Sequence, residues 1–276
     1  MPFNAKILAD SISPRGQRLT TFELTFPRVI LAEFNTHRMI SRNAASSRAI
    51  PTEKLIQRVI DDPFIPEFRL NKRGMQAGAV LSGDDARVAV RKWLAARDAH
   101  VAEARSLHEL DVHKQYVNRL LEPWMWVTVI ASATEWANLF HLRCSPEAEP
   151  SFQTIACMAK RLYLVHEPHE IQRHEWHLPL IFAEDKHFPL QDQLRISAGR
   201  CARVSYLTHD GKRDPQADID LCEKLVASGH WSPMEHQAEC MDGTRRNGNF
   251  TGFNQYRKHF ANENVSVIEG YGEVDF

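Results

Sequence analysis

The sequence predicts an α/β (α+β) fold, laid out as a single domain over residues 1–276. Three observations carry that prediction. Phe22, Leu24 and Phe26 alternate with more polar residues, the period of a half-buried strand. The β-branched run VTVIA, residues 127–131, leads directly into a helical pattern. Residues 84–110 and 216–228 place their apolar side chains at helical spacing. No linker, repeat or low-complexity segment divides the chain, and 276 residues at 43% hydrophobic can bury one sizeable core.

The elements follow in order. TTFELTFPRVILAEF, residues 20–34, begins as a strand and turns at Pro27 into a helical run that delivers the corner Thr36-His37-Arg38. Residues 52–80 read as irregular, with Pro63, Pro66 and Gly74. From Asp84 onward Val90, Trp93, Leu94, Val101 and Ala104 form an apolar stripe opposite Arg and Asp side chains, so a long amphipathic helix is expected. After the strand at 127–131, Ser132 and Glu135 have the S-x-x-E spacing of a capping box, predicting a helix through Leu142 and Arg143. Residues 152–165 are helical in pattern and 166–195 loop-rich. Residues 216–228 form an amphipathic helix stopped by Gly229.

Composition excludes some classes of function. A formal net charge of -1 provides no general basic field, so a nucleic-acid polymer is not an expected partner, and local arginine clusters must serve small anions. Five cysteines without a C-x-x-C pair suit a reducing, cytoplasmic compartment. The N-terminus MPFNAKILADSISPRG lacks the apolar core of a signal peptide. The most apolar window, residues 123–140, is broken by Glu135 and Asn138, so no membrane association is expected.

One stretch concentrates chemistry. FNTHRMISRNAASSRAIP, residues 34–51, holds three arginines, a histidine, three serines and two asparagines. Arginine forks beside hydroxyls suit a phosphate or diphosphate; a surface turn with Asx and serine caps has the same composition. Three further blocks, HLRCSPEAEPSF, GRCARVSY and SGHWSPMEHQ, mix polar and apolar residues as compactly, far away in the chain. His166, His169, His174 and His177 repeat an H-x-x-H spacing, but without H-E-x-x-H and in a proline-broken segment they read as surface or hydrogen-bonded residues, and no metal is expected.

These blocks resemble the flavin-dependent thymidylate synthases. The pattern H-R-x-x-S-x-N-x-x-S-x-R over residues 37–48 is similar to that family's arginine signature. Asn138, Leu142, Arg143 and Ala148 fit N-x-x-x-L-R-x-x-x-x-A; residues 202–206 read A-R-V-S-Y and residues 229–236 G-H-x-S-P-x-E-H. In the family the last two blocks precede the arginine signature, whereas here they follow it, so the order resembles a circular permutation. Thr36 stands where the signature has its first arginine, and Glu33 where a glutamine helps hold the nucleotide. The C-terminal FTGFNQYRKHF resembles the same passage a second time, and Gln255 and Arg257 are expected to replace them. The family's L-R-x-x-x-H-A-Q becomes LRCSPEAE, with Glu147 and Glu149 for histidine and glutamine.

The resemblance implies roles. Ser46 and Arg48 would meet the phosphate of deoxyuridylate (dUMP), Arg119 would be a second phosphate fork, and Gln255 would also hold the nucleotide. Arg143, the catalytic residue, would stabilise charge on the uracil ring. His37, Arg38, Ser41, Asn43, Asn138, Ser205, His230, Ser232 and Glu235, with Arg257, would contact FAD. On residue type alone Arg119 reads first as a solvated helix charge, and His230 reads equally as a histidine facing a helix C-terminus. The resemblance further implies methylenetetrahydrofolate as carbon donor, NADPH as reductant and a homotetramer with shared active sites. The implied product is thymidylate (dTMP); the alternatives are 5-hydroxymethyl-dUMP, or a non-catalytic flavin- and nucleotide-binding relative. No P-C-H triplet supplies a cysteine nucleophile of the folate-only synthases.

Overall fold

In the computed structural model, residues 3–205 and 213–264 are described. Strand β1 (Asn4–Ile12) folds back through a tight turn onto β2 (Arg18–Pro27). A 3-10 turn and the short α1 (Leu31–Phe34) then lead to β3 (Ser41–Ala44). Three helices follow, α2 (Thr52–Asp61), α3 (Gly83–Glu109) and α4 (Lys114–Val117), before β4 (Trp126–Ala133). Next come α5 (Ala137–Arg143), α6 (Pro150–Val165), β5 (His169–Glu170), β6 (Trp176–His177), α7 (Leu190–Ala202) and α8 (Pro215–Ala227). The chain returns through β7 (Ala238–Cys240), β8 (Arg246–Asn247), β9 (Phe250–Thr251) and β10 (Phe253–Gln255).

The main sheet has the order β3-β4-β2-β1-β5, antiparallel except for β1 with β5; β10-β7-β6 form a second sheet and β8-β9 a ribbon. The alternation in β2 does what its period predicts. Phe22, Leu24 and Phe26, with Val127, Val129 and Ala131 of β4, point to one face and pack against Trp136, Phe140, Phe152 and Ile155. The opposite face buries hydroxyls, and Thr25 and Thr128 lie 3.0 Å apart there. Both faces of β4 are covered: Val127, Val129 and Ala131 bury one face, and Ile130 joins the hydroxyls of Thr128 and Ser132 on the other. A second core joins α2 and α3 through Leu55, Ile56, Val59, Val101, Ala104, Leu121 and Trp124.

Two local expectations are corrected. Residues 52–61 are helical: Leu55, Ile56 and Val59 form an inward stripe against α3, which the prolines further along masked. The capping box at Ser132 does not form. Ser132 stays in β4, paired with Thr21 on one side and Ser41 on the other, and helix α5 begins only at Ala137. Two ladder partners outweigh one side-chain cap. No helix among the described residues is long and apolar enough to cross a membrane.

Candidate active site

The corner between α1 and β3 is closed by Arg42. Its Nε donates to Asn35 Oδ1 at 2.7 Å, and its terminal nitrogens donate to the carbonyls of Ile40 and Asn35, both at 2.9 Å. Burial lowers the pKa of this guanidinium; Glu235 opposes that shift and Arg38 adds to it. So fixed, the corner presents His37 and Arg38 to a cavity of about 980 Å³ whose other wall is residues 134–143, with Lys160 and Tyr163 of α6 beyond. Asn138 and Arg143 line the same space, beside the rings of Trp136 and Phe140.

Arg143 is held from three sides. Its Nε donates to His37 Nε2 at 3.0 Å, one terminal nitrogen approaches Glu33 Oε2 at 3.3 Å, and the guanidinium lies 4.6 Å from the Phe152 ring centre. His37 meets that ring edge-on, 5.7 Å between centres. Burial pushes the imidazole pKa down, and the positive charges of Arg143 and Arg42 push it further. A neutral ring is what an Arg143 N–H requires, because only an unprotonated Nε2 can accept it.

Strand β3 ties the remote blocks together. Asn43 Nδ2 donates to the carbonyl of Cys201 at 2.8 Å, and Ser232 donates to Asn43 Oδ1 at 3.2 Å. Ser41 Oγ accepts from Gln255 at 2.8 Å and from Asn249 at 3.1 Å. Gln255 also donates to the backbone of Glu235, while Arg257 reaches its carboxylate at 2.7 Å. The C-terminal FTGFNQYRKHF is indeed a strand running into a 3-10 turn, Tyr256–His259. Gly248 has φ +62°, and a Cβ there would overlap Gln255 Oε1, so the loop closes directly over that amide. At the cavity mouth Arg246 pairs with Glu135 and reaches Met39 Sδ at 3.5 Å; Thr251 donates to Glu135 at 3.2 Å.

Other expected residues lie elsewhere. Ser46 and Arg48 flank the segment held by Asn118, which donates to the carbonyls of Ser47 at 2.7 Å and Ile50 at 2.9 Å. That brings them to the same 3-10 helix, Asn118–Trp124, that carries Arg119. Arg119 lines a different cleft, of about 540 Å³, with Arg28, Asn35 and Glu122, and within one chain it does not share the space of Arg143. His230 is exposed just past α8, its Nδ1 2.9 Å from Ser228 Oγ. Ser205 ends a 3-10 turn after α7, and Tyr206 of the same block lies outside the described residues. Glu149 caps α6 by accepting from the Phe152 amide at 2.8 Å, whereas Glu147 is exposed.

The four spaced histidines separate. His166 pairs with Asp10 and His174 with Glu239, while His177 is buried in a chain of hydroxyls. That chain runs from Ser11 to His177, Thr21, Ser132 and His236 through contacts of 2.6–2.9 Å. Burial brings both His177 and His236 down to about 3. Among the described residues no three His, Cys, Asp or Glu side chains gather as a metal site. Sequence reading did not single out Arg42 or Arg246 and gave Glu135 only a capping role, although Arg42 lies inside the richest block. Its only signal was an arginine between two residues already suspected.

No family model and no curated protein matches the chain. Among solved structures it is similar to the UMP/dUMP methylase PolB from Streptomyces cacaoi. With the form bound to 5-Br UMP the identity is 14% and the TM-score 0.48, over 59% of this chain and 88% of that one. With the form bound to 5-Br dUMP the values are 14% and 0.47, over 59% and 90%. Likeness of this degree assigns neither an activity nor residue roles to this chain.

Proposed function

We propose that this chain is a flavin-dependent enzyme that transfers a one-carbon unit from methylenetetrahydrofolate to C5 of dUMP and releases dTMP. The observation that supports this reading best is the convergence at β3: Ser41 and Asn43 bond directly to the blocks around Cys201, Ser232, Glu235 and Gln255. Those are the blocks on which the family resemblance rests, and a solvated turn has no reason to collect them.

The residues present fit a flavin. The cavity offers an aromatic and aliphatic wall for a planar ring and exposed donors, Arg38 and Asn138, for phosphates and ring edges. His37, Arg38, Ser41, Asn43, Asn138, Ser205, His230, Ser232, Glu235 and Arg257 would hold FAD. When bound and reduced by NADPH, the flavin supplies the hydride that the transferred carbon needs. The chain's own residues position and polarise. Arg143 stabilises negative charge on the uracil ring, the electron-rich form from which C5 attacks, and Glu33 holds the guanidinium in place beforehand. Ser46, Arg48 and Arg119 take the phosphate; Gln255, expected to hold the nucleotide, is buried with its amide on Ser41 and Glu235 and supports the site through them. Arg119 and Arg143 face different spaces within one chain, which suits a homotetramer in which one subunit's cleft completes another's cavity.

The purified protein should be yellow or bind added FAD, and His37→Ala with Arg38→Ala should abolish that binding. A colourless protein indifferent to FAD would remove the proposal. Mass analysis after incubation with dUMP, methylenetetrahydrofolate and a flavin reductant then identifies the product. One extra oxygen relative to dTMP means hydroxymethylation, an outcome that rests on exposed Glu147 since Glu149 is occupied as a helix cap. No turnover despite bound flavin means a non-catalytic relative.

A further inference from the structure

Apart from the cavity of Arg143, three turns distant in sequence converge on an open cleft of about 640 Å³. Each presents one arginine. Arg15 sits on the β1–β2 turn, closed by Gly16 N to Ser13 O at 2.9 Å and Gln17 N to Ser13 Oγ at 3.2 Å. Arg173 sits on the β5–β6 connection, closed by Glu175 N to Gln172 O at 3.0 Å and by Gln172 N to the Glu175 carboxylate at 2.6 Å. Arg245 sits at the end of the β7–β8 loop, framed by Met241 N to Gly252 O and Gly252 N to Arg245 O, both 2.9 Å. Gly252 allows this frame: its φ is +77°, and a Cβ would lie 2.7 Å from the carbonyl of Gly243.

The side chains of Arg173 and Arg245 have no ion-pair or hydrogen-bond partner among the described residues. One carboxylate, Asp242, lines the cleft, 3.8 Å from Arg15. Two positive charges therefore stay uncompensated, in a chain whose net charge is -1. Asn247, Asn254 and Thr244 add neutral hydrogen-bonding groups. The closed turns fix the Cα positions from which the guanidinium forks reach the oxygens of a dianion, and the charge-assisted bonds formed there offset the rotamer freedom that the unpartnered side chains lose on binding. We propose that this cleft is a second anion site that binds a diphosphate group, free or carried on a nucleotide. It lies beside the β8–β9 ribbon, whose Arg246 instead reaches Glu135 at the mouth of the first cavity.

Titration calorimetry of the full chain with inorganic pyrophosphate and with ADP, at low salt, tests it. The expected result is saturable binding of both that weakens about tenfold or more in Arg173→Gln/Arg245→Gln and persists in Arg48→Gln/Arg119→Gln. Circular dichroism and FAD binding of the first variant should be unchanged. Equal affinities show that the phosphates alone are recognised; tighter ADP adds the nucleoside. No binding of either ligand, binding unchanged in the first variant, or loss only in the second would overturn the proposal. ADP is also a fragment of FAD, so its binding should persist in Arg38→Gln, which removes the donor proposed for the flavin phosphates; loss there instead of in Arg173→Gln/Arg245→Gln would overturn this proposal and leave the proposed activity untouched.

Discussion

Arg143 donates to a histidine that must be neutral to receive it, and this couples the two residues' chemistry. If Arg143 stabilises charge on the ring, Arg143→Ala should lower kcat by about 10²–10³-fold with a smaller change in KM. Arg48→Ala and Arg119→Ala should mainly raise KM for dUMP. Equal effects on KM from all three would mean the roles are misassigned. His37 makes a different prediction. Its pKa is depressed, so the neutral form is complete above the ordinary histidine range, and activity should fall as pH drops through the lowered value. There the imidazolium can no longer accept from Arg143 and repels both Arg143 and Arg42. In His37→Gln the amide oxygen accepts at every pH, so the acid limb of kcat should vanish. An unchanged limb would show that His37 does not position Arg143 through this bond.

Helices α7 and α8 cross closely at Gly199. A Cβ on Gly199 would lie 2.2 Å from the carbonyl oxygen of Asp218, a backbone atom that cannot swing away. The same crossing buries Arg200 between Asp185 and Asp218, with Nε 3.1 Å from Asp218 Oδ2 and Nη2 2.9 Å from Asp185 Oδ1. Gly199→Ala should therefore destabilise the protein by about 1–3 kcal/mol despite its better helix propensity, read as a lower denaturation midpoint. A midpoint equal to or above wild type would mean that the helices are free to separate. Legibility in the sequence also varied by element. The helices at 84–110 and 216–228 were readable because each turns one regular apolar face inward, and the strand at 20–26 because its apolar face alternates with polar side chains. Strand β1 and helix α2 went unpredicted: Asn4–Ile12 owes its state to pairing with β2 along its length, and Thr52–Asp61 sits in a proline- and glycine-marked region.

Over the whole molecule, a buried polar chain from Ser11 to His236 crosses the sheet with two histidines held neutral. Their folded pKa values, about 3, lie below the ordinary 6.5. Between these limits the unfolded chain binds more protons than the folded one. The stability they contribute is complete above pH 6.5 and declines as pH falls toward 3, by about 1.4 kcal/mol per pH unit for each histidine. The urea midpoint should thus drop between pH 7 and pH 5, and less steeply in His177→Gln; a flat profile over that range would contradict the buried neutral pair.

The sequence by itself determined the periods of the main helices and strands, the clustering of polar residues at 34–51, and the second strand-to-turn passage at Phe253–His259. Those are local properties, written in spacing and residue type. Only the tertiary structure decided that Ser132 extends a strand instead of capping a helix, that Arg42 closes the corner between α1 and β3, and that Arg119 faces a cleft apart from Arg143. It also decided which polar residues meet: Asn43 and Cys201 are 158 positions apart, and Ser41 and Gln255 are 214. A serine or asparagine has the same local sequence whether it is solvated or bonded to a distant strand. What distinguishes the two is the pairing of β3 with β4 and the return of the C-terminal segment over it, and no short window of the chain contains both partners.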